Sequence, residues 1–264
     1  MFTARVILLS LCAIGFSVNS IAAEKPHVVF VVGDHEYRSE LTMPKLAKEL
    51  EEKYGMKCTI RMAQPIPRTS NSIPGLEVLK DADAAVFFMR WRELPENQLK
   101  MIFDYINRGG PVVAFRTTTH ALKYPKGHPL FKWNHQIGEQ VCGQRWVTHH
   151  GHASTTDVSV IPEKVGHPIL KGVAKEFHCP SWLYVEKPLP KSTNWLLMGK
   201  TVNSRKGDDD KQEQQPVAWT WEPKGGRVFY TSLGHWDDFK VESVKRLAIN
   251  AVHWVLDRPT PDWK

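Results

Sequence analysis

Three short segments hold most of the side chains able to do chemistry, and each follows an apolar run. Gly33-Asp34-His35-Glu36-Tyr37-Arg38-Ser39 follows residues 27–32, Arg90-Trp91-Arg92-Glu93 follows 84–89, and Arg116-Thr117-Thr118-Thr119-His120 follows 111–115. Imidazole and carboxylate groups exchange protons near neutral pH, and guanidinium groups hold anionic oxygens. The chain has 12 histidines, several of them in Thr148-His149-His150-Gly151-His152 and in Gly234-His235-Trp236-Asp237. Such imidazoles can act as base, acid or metal ligand if folding brings them together. His149 and His150 would face opposite ways if their segment continued as a strand.

A plainer account competes with this one. Loops after strands are polar in any case, and Asp34 or Ser39 would simply cap a helix, with capping the expectation for Ser39. It is weaker for Arg90, Arg92, Arg116 and His120, because arginine is a poor turn former and needs carboxylates or a polar ligand. Tryptophans such as Trp91, Trp146 and Trp236 could stack on a sugar ring, although ten tryptophans more commonly serve a core. H-E-x-x-H, G-x-S-x-G, a Walker loop and a G-x-G-x-x-G after the first run are all absent. Zinc-protease, hydrolase-triad and nucleotide-binding chemistry lose their support accordingly.

The elements positioning these groups follow from periodicity. Residues 27–32 form a continuous apolar, β-branched run, as in a strand buried on both faces. Residues 43–54 have helical spacing, closed by Gly55. A second strand is predicted over 57–61, a third over 84–89, a helix over 95–107 and a fourth strand over 111–115. This alternation predicts a doubly wound α/β sheet, whose ligands bind at the carboxyl ends of the strands. The second half predicts short strands at 144–148, 158–161, 182–185 and 195–197. A hairpin-like pair at 216–221 and 227–232, a polar loop at 206–215 and a closing helix at 241–256 complete it. One domain, residues 24–264, with an elaborated β-rich second half is expected.

Composition bounds the rest. The 264 residues are 42% hydrophobic and 24% charged, which excludes wholesale disorder and a polytopic membrane protein. Net charge is +7 with no basic stripe, so nucleic acid is not an expected partner. Residues 1–23 have Arg5, an apolar centre and small residues at Ser20, Ala22 and Ala23, the pattern of a signal peptide cleaved near Ala22 or Ala23. A secreted or periplasmic protein without a stable membrane anchor is expected. The mature chain keeps Cys58, Cys142 and Cys179, an odd number without a C-x-x-C pair, which predicts buried thiols over a disulfide framework.

Seven segments then acquire joint meaning: GDHEYRS, RWRELP, AFRTTTHAL, GQRWVTHHGH with GHPIL, PVAWTW and GGRVFYTSLGH. In this order, over about residues 27–256, the chain resembles the ThuA-like (trehalose-utilisation) family. The resemblance implies a flavodoxin-like fold similar to class I glutamine amidotransferases, many of which place a cysteine nucleophile on the turn after the strand equivalent to 112–115. That turn here reads Arg116-Thr117-Thr118-Thr119-His120, so thiol amidotransfer is not expected.

The resemblance further implies catabolism of trehalose and related disaccharides beside sugar oxidoreductases that form 3-keto-glycosides. His120, His149 and His235 match the family's histidines and are the expected base or, alternatively, ligands of a divalent metal such as zinc. Asp34, His35, Glu36, Arg90, Arg92, Arg116, Trp146 and Trp236 are the expected substrate-binding groups. The expected enzyme is a glycoside-processing lyase or hydrolase acting on a sugar or keto-sugar. Two alternatives are a non-catalytic carbohydrate-binding protein and an interaction module on the same scaffold.

Overall fold

The computed structural model describes residues 24–151, 153–203 and 214–263. Residues 1–23, where a signal peptide is expected, His152 and the 206–213 part of the polar loop lie outside the described residues.

β1 (His27–Gly33), β2 (Lys57–Met62), β3 (Ala84–Met89) and β4 (Val112–Phe115) run parallel, joined by β9 (Val228–Thr231). β8 (Gln215–Trp221), β7 (Asn194–Val202), β5 (Thr155–Val160) and β6 (Glu176–Cys179) extend the sheet in antiparallel fashion. The order is β2-β1-β3-β4-β9-β8-β7-β5-β6. The fold is α/β and flavodoxin-like on its parallel side, as expected. The antiparallel extension belongs to the irregular second half, where β8 and β9 are joined by the short 222–227 segment and, among the described residues, no α-helix lies between β5 and β9 to make a parallel crossover.

Alternation on β1 explains its unbroken apolar run. Val28, Phe30 and Val32 join one core with α1 (Ser39–Tyr54) and α3 (Glu242–Val255), while Val29 and Val31 join the other with α2 (Glu96–Asn107). Each fully buried Val or Phe contributes about 1.5–3 kcal/mol. α1 ends where expected: Gly55, at φ 64°, donates its N–H to Leu50 O.

Three expectations change. Residues 144–148 and 182–185 form no strand; an isolated bridge pairs His149, just past the first segment, with Tyr184, and the second segment lies just after β6. α1 begins at Ser39 itself, with Arg38 at its N-cap and no side-chain cap. Gln215, read as loop, is buried as the first residue of β8. Cys142 and Cys179 are buried free thiols, whereas Cys58 is half-buried.

Candidate functional site

The carboxyl ends of β1, β3 and β4 lie side by side, with Gly33 paired to Met89 and Ala85–Phe87 paired to Val112–Ala114. β1 has β2 on one side and β3 on the other, so strand order reverses here while all three strands stay parallel, and the β1 and β3 loops flank the switch point at which open α/β sheets bind ligands in a crevice. Three non-glycine residues take left-handed conformations in these loops: Arg38 (φ 54°), Trp91 (φ 51°) and Arg116 (φ 39°). Each costs about 1–3 kcal/mol and persists only where surrounding contacts over-determine it.

In the β1 loop the Asp34 carboxylate accepts the N–H of Tyr37 and, at 3.3 Å, the Thr117 hydroxyl. Ser39 Oγ accepts the Asp34 N–H at 3.3 Å, so both proposed caps fold this turn instead of capping α1. Burial pushes the Asp34 carboxyl up to about 6, against the pull of the Tyr37 and Glu36 N–H groups and Arg90.

Arg90 is the hub of the crevice. Its Nη1 reaches His35 Nε2 at 2.7 Å, Nη2 meets Glu36 Oε2 at 2.9 Å, and Nε donates to His120 Nε2 at 3.3 Å. Its guanidinium also lies 3.6 Å from the Trp91 ring centroid. Arg92 turns away from this hub: it is buried and donates to the carbonyls of Arg90, Ser70 and Arg68 at 2.7–3.0 Å. It clamps the 68–70 backbone, leaving Arg90 as the cation facing the imidazoles.

His120 is 8% exposed, with Trp146 and Trp91 ring centroids 5.1 and 5.9 Å away and Tyr184 at 6.2 Å. Burial, then the Arg90 and Arg116 charges, lower its pKa well below the ordinary histidine value. The tautomer follows from proton counting. Arg90 can only donate, so His120 Nε2 accepts, and the ring proton sits on Nδ1, 3.1 Å from Thr119 Oγ1. His120 is therefore neutral with its lone pair toward the crevice cation. His35 is also pushed down by burial and Arg90.

Arg116 forms the floor. Its guanidinium donates to Ser232 O at 2.6 Å, Trp182 O at 3.2 Å and Tyr37 Oη at 3.2 Å, and lies 4.4 and 4.3 Å from the Tyr37 and Tyr184 rings. At 1% exposure it is a buried strut holding β1, β4 and β9 loops together. Gly234 makes this possible: at φ 149° it packs where a Cβ would lie 3.1 Å from Arg116 Cβ.

His235 lies beyond Tyr37, ring centroids 6.1 Å apart and edge-on. Buried Asp238 holds its turn by accepting the N–H groups of Gly234 at 2.7 Å and His235 at 3.1 Å, together with Ser181. Burial lowers the His235 pKa. Trp236 packs on His235 at 3.7 Å and lines a cavity of 170 Å³ with α1 and α3 residues. His149 packs edge-on against Trp182 at 4.7 Å. Among the described residues no three His, Cys, Asp or Glu side chains gather as metal ligands. His120, His149 and His235 are accordingly not gathered as a ready zinc set; Trp146 and Tyr184 pack on the first, Trp182 on the second and Tyr37 and Trp236 on the third.

Sequence reasoning passed over Tyr37, Tyr184, Glu186, Tyr230 and Asp238. Tyr37 was within reach, sitting inside the GDHEYRS motif; the others lie in strands or irregular segments where nothing marks a polar residue as inward-facing.

Fold and crevice together define a flavodoxin-like α/β protein whose turn after β4 presents arginine and threonines instead of a thiol. A family model described as ThuA, trehalose utilisation, matches residues 28–255, and the chain belongs to that family. Among solved structures, a ThuA-like protein from Bacteroides uniformis ATCC 8492 is 17% identical, with 93% of this chain and 97% of that one covered at a TM-score of 0.63. Another from Parabacteroides merdae ATCC 43184 is 14% identical, with 90% and 92% covered at a TM-score of 0.65. At these identities the likeness is one of fold. No curated protein matches the sequence.

Proposed function

We propose that this ThuA-family protein processes a 3-keto-disaccharide by proton abstraction, with His120 as base and Arg90 as the cation that stabilises the enolate. The observation that carries this is the Arg90 hub, which joins His120, His35 and Glu36 at the crevice between the strand ends. In a 3-keto sugar the C2 proton is acidified by the neighbouring carbonyl. Its transfer to His120 Nε2 leaves the electron pair on the C3 oxygen, where a guanidinium is the matching partner. The enolate then expels the C1 glycosidic oxygen, which recovers a proton and leaves as an alcohol. Arg90 exchanges His120 for the substrate oxygen as the substrate enters, freeing the lone pair. Trp146, flanking His120, offers a face to the sugar ring, while Trp91 carries the Arg90 guanidinium.

The test is incubation with 3-keto-trehalose and trehalose in D2O, followed by NMR. Deuterium should enter C2 of the keto-sugar, and glucose should be released from it alone. His120→Ala should lower both rates by about 10²–10⁴-fold. Full activity in that variant would remove His120 from the mechanism.

A second reading, a non-catalytic sugar binder, is favoured by one observation: the His120 lone pair is already engaged by Arg90 and its basicity is depressed. Calorimetric binding without exchange or cleavage would decide for it. Export is part of the same proposal, and N-terminal sequencing of the mature protein from its host should begin near Glu24. A start at Met1 would remove export. A sugar oxidoreductase supplying the keto-sugar is the matching partner in the pathway.

A further inference from the structure

Behind the crevice floor, Glu186, Tyr230 and the Arg116 carbonyl form a buried chain that the proposed reaction does not use. Tyr230 Oη lies 2.9 Å from Arg116 O and 3.1 Å from Glu186 Oε1, and all three residues are no more than 1% exposed. A phenol has one proton, and a carbonyl oxygen can only accept. If Glu186 were ionised, Tyr230 would have to choose between two acceptors, and one pair of oxygens would face each other without a proton. We infer that Glu186 is held as the neutral acid, donating to Tyr230 Oη, which donates in turn to Arg116 O, so that Glu186 is a positioning residue for the turn that carries His120.

A second observation agrees. Glu186 Oε2 is buried without a hydrogen-bond partner, tolerable for the carbonyl oxygen of a neutral acid and far more costly for half of a carboxylate. Burial, opposed by Tyr230 and Arg116, pushes the Glu186 pKa up to about 8. The titratable groups around it are Arg116 after β4, Tyr230 on β9, Tyr184 on its own segment and Cys142 from the 138–142 turn.

The Arg116 carbonyl also accepts the Thr119 hydroxyl at 3.2 Å, and Thr119 accepts the His120 Nδ1 proton. Two donor chains therefore converge on one carbonyl at a left-handed residue (φ 39°), one from Glu186 and one from His120. Ionising Glu186 turns the Tyr230 proton toward the carboxylate and leaves Arg116 O with Thr119 alone. The turn beneath His120 loses one of its two anchors when that proton goes to solvent.

Carbon-13 NMR of the whole mature chain tests this without relying on catalysis, so its failure and that of the proposed reaction are distinguishable. With glutamate Cδ labelled and assigned through bonds in the wild type, the Glu186 carboxyl carbon should show the protonated shift at pH 7. As pH rises it should titrate together with the Arg116 carbonyl carbon. Glu186→Gln, whose amide N–H can still donate to Tyr230, should keep the Arg116 carbonyl shift and abolish its titration; Glu186→Met should displace it. An ionised Glu186 carbon at pH 7 overturns the inference, as does an Arg116 carbonyl that ignores the titration. Both readings come from the wild type, so neither depends on a variant that folds.

Discussion

Arg90 Nε donates to His120 Nε2 across 3.3 Å, joining the loop after β3 to the turn after β4. The bond has two consequences. It fixes the His120 tautomer, and it places a permanent positive charge beside an imidazole that must stay neutral to act as a base. Arg90 is held in turn by Glu36 and His35, so the pair belongs to a network whose members shift each other's protonation.

Removing the Arg90 charge should therefore raise both histidine pKa values. In Arg90→Gln, the His35 titration followed by proton NMR should move upward, since Arg90 and burial are its main depressing influences. Arg90→Lys should retain the depression but lose turnover, because an ammonium cannot span His35, Glu36 and His120 together. An unmoved His35 titration in Arg90→Gln would show that burial, with the Arg92 and Arg68 charges, sets it without Arg90.

Stability should depend on pH in opposite senses at Asp34 and His120. The Asp34 carboxyl, about 6 in the fold against an ordinary 3.8, binds its proton more tightly folded than unfolded. Its contribution is complete below pH 4 and is lost as pH rises to 6, a change on the order of 3 kcal/mol. His120 is neutral in the fold, so its contribution holds above its ordinary value of 6.5 and is lost on acidification. Urea unfolding between pH 4 and 8 should show the Asp34→Asn variant gaining on the wild type as pH rises to 6. His120→Gln should gain on it as pH falls. Parallel curves for wild type and Asp34→Asn would contradict the upward shift of the Asp34 carboxyl.

Gly234 should tolerate no side chain. An alanine there would meet Arg116 Cβ at 3.1 Å and Phe88 Cζ at 3.2 Å, at φ 149°. Gly55, at φ 64° with nothing within 4 Å, is the control for backbone conformation alone. Gly55→Ala should cost about 1–2 kcal/mol. Thermal melts should show Gly234→Ala falling further, with a weakened site because Arg116 must move. Equal losses would mean that the close approach is relieved by relaxation.

The legible parts of the molecule were those written in local chemistry. The apolar runs of β1 and β4 are bounded by glycine or proline and that of β3 by charged residues, and their polar ends lie where the parallel-sheet rule puts them. The sequence marks Asp34 and Ser39 as helix caps, yet they fold the β1 turn, because a short polar side chain can satisfy an N–H in a loop as readily as one at a helix start. Residues 144–148 and 182–185 misled, since β-branched and aromatic residues pack equally well in irregular segments against a site.

The sequence by itself determined the α/β class, the absence of a thiol at the turn after β4, the family motifs and the histidine and arginine loops. Each of these depends on residue type and on spacing of a few positions. Only the tertiary structure decided that Arg90 gathers three partners, that Arg92 and Arg116 turn to backbone carbonyls, that His120, His149 and His235 stay apart as ligands, and that Glu186 lies under the floor. Those outcomes rest on contacts such as Arg92–Ser70, Arg90–His120 and Arg116–Ser232, which are 22, 30 and 116 residues apart in the chain. Such contacts follow from strand order and from which loops it stacks, and no local periodicity encodes that order.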